Sequence, residues 1–70
     1  MRSRIKETFR EGEDYVKLGV LTKADESFDM CIAQLAEATI KGVTELEGSS
    51  IDQWKSRVWT AIEKAGLLPD

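Results

Sequence analysis

Residues 12–31 read GEDYVKLGVLTKADESFDMC. Small and aromatic residues fall there at the positions where two packed antiparallel helices need them, namely Gly12, Tyr15, Gly19, Ala24, Phe28 and Cys31. Small residues let two helices approach closely, and aromatic rings fill the space between them. The stretch therefore predicts a helical hairpin whose turn follows Gly19.

A first helix is predicted over about residues 3–19, because apolar and small residues recur at steps of three or four. These residues are Ile5, Phe9, Gly12, Val16 and Gly19, with Tyr15 beside them. An interior glycine costs a helix about 1 kcal/mol relative to alanine. We therefore expect Gly12 to permit the close approach of another helix, and a bend at Gly12 is the alternative.

A second helix is predicted to start near Lys23, since Thr22 followed by Asp25 is an N-terminal capping pattern. Its apolar stripe comprises Ala24, Phe28, Cys31, Ile32, Leu35 and Ala38 or Thr39. Two ends fit the helical period: a cap at Lys41-Gly42, or continuation through Val43 and Leu46. The favoured interpretation is a long helix over about residues 23–47.

The third helix is predicted over about residues 50–65, after the break at Gly48-Ser49-Ser50. Ser50 and Gln53 form a capping box, and Gly66 suits the left-handed position that closes a helix. A Schellman closure there would bring Leu67 against Ile62. The apolar stripe of this helix comprises Ile51, Trp54, Val58, Ala61, Ile62 and Ala65, widened by Trp59.

The predicted fold class is all-α, because no stretch alternates with the period of a strand between hairpin turns. The three helices fit either a three-helix bundle or a helical hairpin with a docked third helix, in a single helical domain over residues 1–70. A chain of 70 residues buries only about 60% of the surface that its unfolded form exposes. Stability should be marginal, which favours a partner or a dimer.

Composition narrows the class of protein. The net charge is −3, and residues 24–50 carry six acidic residues against Lys41, which opposes general phosphate binding. Histidine is absent and Cys31 is the only cysteine, so neither a disulfide framework nor the usual zinc patterns can form. The start of the chain has no apolar run of signal-peptide or membrane-spanning type. We expect a cytoplasmic protein that does not contact a membrane.

Part of the chain resembles a single tetratricopeptide-type helical hairpin over residues 8–36. The pattern of that family is W-x2-L-G-x2-Y…A-x3-F…P over about 34 residues. Gly12, Tyr15, Ala24 and Phe28 occupy its glycine, tyrosine, alanine and phenylalanine places, whereas Thr8, Glu11 and Ala36 replace its tryptophan, leucine and proline. The resemblance implies a hairpin that binds peptides or proteins without enzymatic activity, and it carries over no binding residues.

The sequence contains no residue that is a good candidate for catalysis or for binding a cofactor. Cys31 lies on the apolar stripe of the second helix and has no histidine to act as its base, so we expect a buried side chain. Asp25, Glu26 and Asp29 fall in the first turns of that helix, where carboxylates complement the helix dipole. We therefore predict a protein that is not an enzyme and has no cofactor or metal.

A small basic arm is the basis of the alternative function. Arg2, Lys6 and Arg10 recur every four residues and would line one face of the first helix. Together with Lys55, Arg57 and Lys64 of the third helix, they could contact nucleic acid. The alternative is therefore a small nucleic-acid-associated regulator that uses the basic N-terminal arm and helix three.

The two tryptophans are the basis of the favoured prediction of function. Trp54 and Trp59 lie about 140° apart around the third helix, so both cannot face one narrow core. Trp54 is in phase with the apolar stripe, which makes Trp59 the more exposed residue. A partly exposed tryptophan near cationic side chains suits a protein interface. We predict a small protein-protein interaction module, acting on another protein or as a homodimer, whose binding residues are Trp59, Trp54, Arg57 and Lys55.

Overall fold

Three α-helices and one short β-hairpin make up the structure, a computed structural model that describes residues 4–68. The elements are α1 (Ile5–Leu18), α2 (Leu21–Ile40), β1 (Glu45–Leu46), β2 (Ser49–Ser50) and α3 (Ile51–Lys64). α2 packs against both α1 and α3. The predicted all-α fold class is confirmed, and the architecture is a small helical bundle with α2 as its central helix.

The close contact predicted at Gly12 is confirmed. A Cβ atom built on Gly12 would lie 2.6 Å from Cε1 of Phe28, a fully buried side chain of α2. The absence of a side chain at Gly12 therefore leaves room for the Phe28 ring between the two helices. The hairpin turn also lies where the sequence placed it, because the amides of Gly19 and Val20 donate to the carbonyls of Val16 and Tyr15.

The predicted start of the second helix is wrong by two residues. Only Gly19 and Val20 separate α1 from α2, and the amide of Ala24 already donates to the carbonyl of Val20. Thr22 therefore lies inside the helix rather than at its cap. No side-chain cap is formed at the N-terminus of α2.

The predicted end near Glu47 is also wrong, because α2 ends at Ile40. Gly42 adopts a left-handed conformation with φ of 77°, which glycine adopts without the steric cost that other residues incur. The amides of Gly42 and Val43 then donate to the carbonyls of Thr39 and Ala38. This is a Schellman closure, and it satisfies backbone carbonyls that a longer helix would have paired.

A small β-hairpin occupies part of the segment that was predicted to be helical, so the expectation that the chain has no sheet is wrong at this point. The two strands are antiparallel, with Glu45 opposite Ser50 and Leu46 opposite Ser49. Glu47 and Gly48 have φ values of 47° and 85°. Two-residue hairpin turns of type I′ require positive φ at both central residues.

The hairpin is attached to α1 and α3 by side-chain hydrogen bonds. The carboxylate of Glu47 accepts a hydrogen bond from the backbone amide of Lys6, in the first turn of α1, at an N–O distance of 2.7 Å. Arg4, the residue immediately before α1, provides no side-chain cap. Glu47 therefore supplies the acceptor from a position 41 residues away from Lys6. A charged acceptor at a helix N-terminus contributes about 1 kcal/mol to stability.

Both predicted signals at the ends of α3 are confirmed. Ser50 and Gln53 form the capping box, with Gln53 N 3.1 Å from Ser50 Oγ and Ser50 N 3.0 Å from Gln53 Oε1. The amide of Leu67 donates to the carbonyl of Ile62, which completes the Schellman closure. All three helices contribute to the core, whose buried apolar residues are Ile5, Ala24, Phe28, Cys31, Leu35, Ala38, Ile51, Trp54, Val58 and Ile62.

Candidate functional site

The two tryptophans of α3 lie in different environments, as the sequence predicted. Trp54 is 2% exposed, whereas Trp59 is 47% exposed. The indole Nε1 of Trp54 donates to the carbonyl of Leu46 at 2.7 Å, and its ring meets the ring of Phe9 edge-on at a centroid distance of 6.0 Å. Trp54 therefore joins α3 to the hairpin and to α1 and is not itself available to a partner.

Trp59 and Lys55 lie together at a groove between α2 and α3. The groove has a volume of about 380 Å³ and is lined by Ile32, Leu35, Ala36, Thr39 and Ile40 of α2 and by Lys55 and Trp59 of α3. We call it the Trp59 groove. Six of the seven lining residues carry no charge, and Lys55 is the exception. Its surface is therefore mainly apolar.

Arg57 lies on the other side of α3. It is two positions from both Lys55 and Trp59, which corresponds to about 200° around a helix. Its guanidinium lies 5.0 Å from the centroid of the Trp54 ring, a cation–π contact. The four predicted binding residues are thus divided between two surfaces: Lys55 and Trp59 line the groove, whereas Arg57 covers Trp54.

Ile40 is the main groove residue that the sequence interpretation missed. It is 86% exposed, more than any other large hydrophobic residue among residues 4–68. Its position lies outside the apolar stripe of α2, five residues after the buried Leu35 and two after the buried Ala38. An isoleucine out of phase with its stripe, just before a Lys-Gly cap, was the signal that could have identified it.

A second depression lies between α1 and α3, and we call it the Arg57 cleft. Phe9 and Trp54 lie at its base. Its cationic residues are Lys6, Arg10 and Arg57, and its acidic residues are Glu7, Glu13 and Glu47. Two members of the predicted basic arm therefore meet α3 here, while Arg2 lies outside the described residues. Equal numbers of cations and carboxylates give this cleft no excess positive charge.

Exposed apolar residues also lie at the turn between α1 and α2. Leu18 is 74% exposed, and Val20 and Leu21 are 41% and 44% exposed. The turn does not contribute to the Trp59 groove. These residues are therefore useful as controls of similar chemistry.

Cys31 is fully buried, as the sequence predicted. Its Sγ lies 3.9 Å from the carbonyl oxygen of Ile5. Burial raises the pKa of the Cys31 thiol to about 12, because the charged thiolate loses its hydration inside the core. At neutral pH the side chain is therefore a thiol, which is a poor nucleophile.

The acidic residues near the start of α2 are exposed on the helix surface. Glu26 pairs with Lys23, with 3.7 Å between Oε2 and Nζ. Across residues 4–68, no three side chains of metal-binding type come together. In the same part of the chain no helix is long and apolar enough to cross a membrane.

Comparisons of the chain with protein-family models, with curated proteins and with solved structures gave no match. The resemblance to a tetratricopeptide-type hairpin consists of packing positions: Gly12 against Phe28, with Ala24 buried in the same core. These positions explain the hairpin and place no residue in the Trp59 groove.

Proposed function

We propose that this protein acts by binding another protein through the Trp59 groove, without catalysing a reaction. The observation that carries the proposal is that two large apolar side chains from different helices, Trp59 and Ile40, lie exposed in one groove. Large apolar residues exposed together are typical of interaction surfaces, and tryptophan is enriched among the residues that dominate binding energy.

The hydrophobic effect supplies the driving force. Fully burying an exposed apolar side chain of this size contributes about 1.5–3 kcal/mol. Ile40 is 86% exposed and Trp59 is 47% exposed, so covering both contributes a few kcal/mol, against about 8 kcal/mol for a micromolar affinity. Ala36 also lines the groove and is small and exposed, which leaves space for a side chain of the partner. The base of the groove is firm, because Leu35 is 2% exposed and belongs to the core.

The helices that carry Trp59 and Ile40 also favour binding. Trp59 and Ile40 both belong to regular helices, and the α3 helix is fixed at its N-terminus by the Ser50–Gln53 capping box. Residues held on rigid helices lose little conformational freedom on binding, which reduces the entropic cost of association. The groove therefore needs little rearrangement to receive a partner.

Capture from the native lysate tests this proposal, with Trp59→Ser and Leu18→Ser as a matched pair. Both changes remove a large exposed apolar side chain, but only the first lies in the groove. We expect the wild type and Leu18→Ser to retain the same partner and Trp59→Ser to lose at least about tenfold of it, the equivalent of about 1.4 kcal/mol.

Circular dichroism should show that both variants remain folded, since Leu18 is exposed and Trp59 is half-buried, and neither change should cost more than about 1 kcal/mol. Equal retention of the partner by Trp59→Ser and the wild type would refute the proposal. A partner lost only with Leu18→Ser would move the interface to the turn between α1 and α2.

The alternative function is nucleic-acid binding at the Arg57 cleft. It is favoured by one observation, that Lys6, Arg10 and Arg57 line a single cleft. Against it, Glu13 and two further carboxylates line the same cleft, and affinity for nucleic acid depends mainly on excess positive charge. Nuclease treatment of the lysate separates the two functions, since a protein partner of the groove should survive it.

A further inference from the structure

The turn of the β-hairpin places Glu47 in a backbone conformation that glutamate does not favour. Among residues 4–68 it is the only non-glycine residue with positive φ, at 47°. Asparagine, aspartate and glycine are preferred at this position of a type I′ turn, because a left-handed conformation crowds the Cβ atom of most other residues. The requirements of the turn therefore do not explain a glutamate here.

A contact with α1 explains the glutamate. Its carboxylate accepts a hydrogen bond from the amide of Lys6 at 2.7 Å, and Arg4 supplies no side-chain cap to the same helix. Asparagine and aspartate suit the turn better, but their side chains are shorter by one methylene group. Glu47 thus caps a distant helix at the expense of the turn, and the two contributions to stability are opposite in sign and similar in size.

The turn itself is exposed to solvent. Glu47 and Gly48 are both exposed, and a Cβ atom built on Gly48 would have no atom beyond its chain neighbours within 4 Å. The adjoining strands are attached to α3, because β2 packs against that helix and the carbonyl of Leu46 accepts the indole N–H of Trp54. Segments with few buried contacts and exposed hydrogen bonds open locally at a lower free-energy cost than the whole fold.

We propose that Glu47 and the amide of Lys6 form a clasp that opens while the bundle stays folded. When the carboxylate leaves, the first turn of α1 loses its cap, whereas the strands remain attached to α3. Both residues line the Arg57 cleft, and Phe9 and Trp54 lie at its base. Opening therefore removes one wall of the cleft and makes the two aromatic rings more accessible. The clasp is a gate on a surface separate from the Trp59 groove, so it does not depend on the proposed function.

Native-state hydrogen exchange followed by NMR measures the clasp directly. The Lys6 amide lies in the first turn of α1, where a helix provides no carbonyl partner, so its protection reports on the bond to Glu47. We expect this amide to be protected about 10- to 100-fold and to exchange at least about tenfold faster than the amide of Val58, a core residue of α3.

Glu47→Asn tests the opposed contributions of the turn and the cap. Asparagine favours the left-handed turn, but its shorter side chain withdraws the acceptor from α1. We expect the Lys6 amide to exchange about tenfold faster than in the wild type. The amide of Ile51, which donates to the carbonyl of Thr44 across the hairpin, should exchange no faster. Position 47 is 41 residues from Lys6, so the change leaves the intrinsic exchange rate of that amide unaltered.

Two further variants serve as controls. Glu47→Gln keeps the length of the side chain but makes the acceptor neutral and therefore weaker, so exchange at Lys6 should accelerate only about threefold. Glu45→Gln removes a charge from the same hairpin at an exposed position outside the cleft, and it should leave exchange at Lys6 unchanged.

Fluorescence quenching tests the gate. In a Trp59→Phe background Trp54 is the only tryptophan, so quenching by acrylamide reports on that ring alone. Adding Glu47→Asn should raise the quenching constant about twofold, because the cleft above the ring is open for a larger fraction of the time.

Four results would overturn the proposal. They are a Lys6 amide without protection in the wild type, a Lys6 amide that exchanges as slowly as that of Val58, a rate at Lys6 that Glu47→Asn leaves unchanged, and quenching of Trp54 that the same change leaves unchanged. None of them bears on the proposed function, which is tested separately by the contrast between Trp59→Ser and Leu18→Ser in the lysate.

Discussion

Trp54→Ala is expected to lower the free energy of unfolding by about 3–5 kcal/mol, the usual cost of truncating a buried aromatic residue. A domain of 70 residues has a total stability of roughly 4–10 kcal/mol, so this single change should remove a large fraction of it. The loss includes the ring contact with Phe9 and the hydrogen bond to the Leu46 carbonyl. Urea denaturation followed by circular dichroism measures it.

Two further variants help to show which contacts of Trp54 cause the loss of stability. Trp54→Phe keeps an aromatic ring but removes the indole N–H, and it should lose about 1–3 kcal/mol because a smaller ring is left and the Leu46 carbonyl loses its donor. Trp59→Ala removes the exposed tryptophan and should lose about 1 kcal/mol or less. A Trp54→Ala variant as stable as Trp59→Ala would contradict the core position of Trp54.

Gly12→Val is expected to destabilise the fold by about 2–4 kcal/mol. Its Cβ would lie 2.6 Å from Cε1 of Phe28, and overpacking of this kind typically costs about 1–3 kcal/mol, to which the branched side chain adds further crowding. The Phe28 ring is fully buried, and its neighbour Phe9 lies at a centroid distance of 6.0 Å, which leaves it little freedom to move. Thermal or urea denaturation gives the change.

A double-mutant cycle shows whether the contact with Phe28 is the cause. Gly12→Ala gains about 1 kcal/mol of helix propensity, which partly offsets the clash. In a Phe28→Leu background the aromatic ring is absent, so Gly12→Ala should become less destabilising or even stabilising. An identical effect of Gly12→Ala in both backgrounds would show that the two residues are not coupled.

The features that the sequence revealed are local ones. Ser50 and Gln53 lie three residues apart, and the Schellman closure at Gly66 joins residues that are five apart, so both ends of α3 could be predicted. The same applies to the phase of Trp54 and Trp59 around one helix. A periodic stripe reports which side of a helix is buried without any knowledge of its neighbours.

The end of α2 could not be predicted by period alone, because Val43 and Leu46 continue the apolar spacing. The deciding contacts are the left-handed Gly42 cap and the hydrogen bond from Trp54 to Leu46, which fixes the hairpin from a distance. The Glu47 contact with Lys6 spans 41 residues, and local patterns carry no signal for such a pairing.

The candidate site could be predicted only in part, because local sequence patterns do not show contacts between different helices. Lys55 and Trp59 are one turn apart on a single helix, so their common face could be predicted from spacing. Ile40 lies on another helix, and its place in the groove depends on how α2 packs against α3. The predicted continuation of the second helix to residue 47 also concealed that Ile40 lies at the exposed end of α2.

Site-specific photo-crosslinking tests most directly the central claim that a protein docks in the Trp59 groove. A benzophenone amino acid is introduced at position 40 or at position 18, where the native Ile40 and Leu18 are 86% and 74% exposed. In the native lysate, the expected result is a discrete protein adduct from position 40 and little from position 18. Mass spectrometry of the adduct distinguishes a second copy from a different protein. No adduct from position 40, or equal adducts from both positions, would contradict the claim.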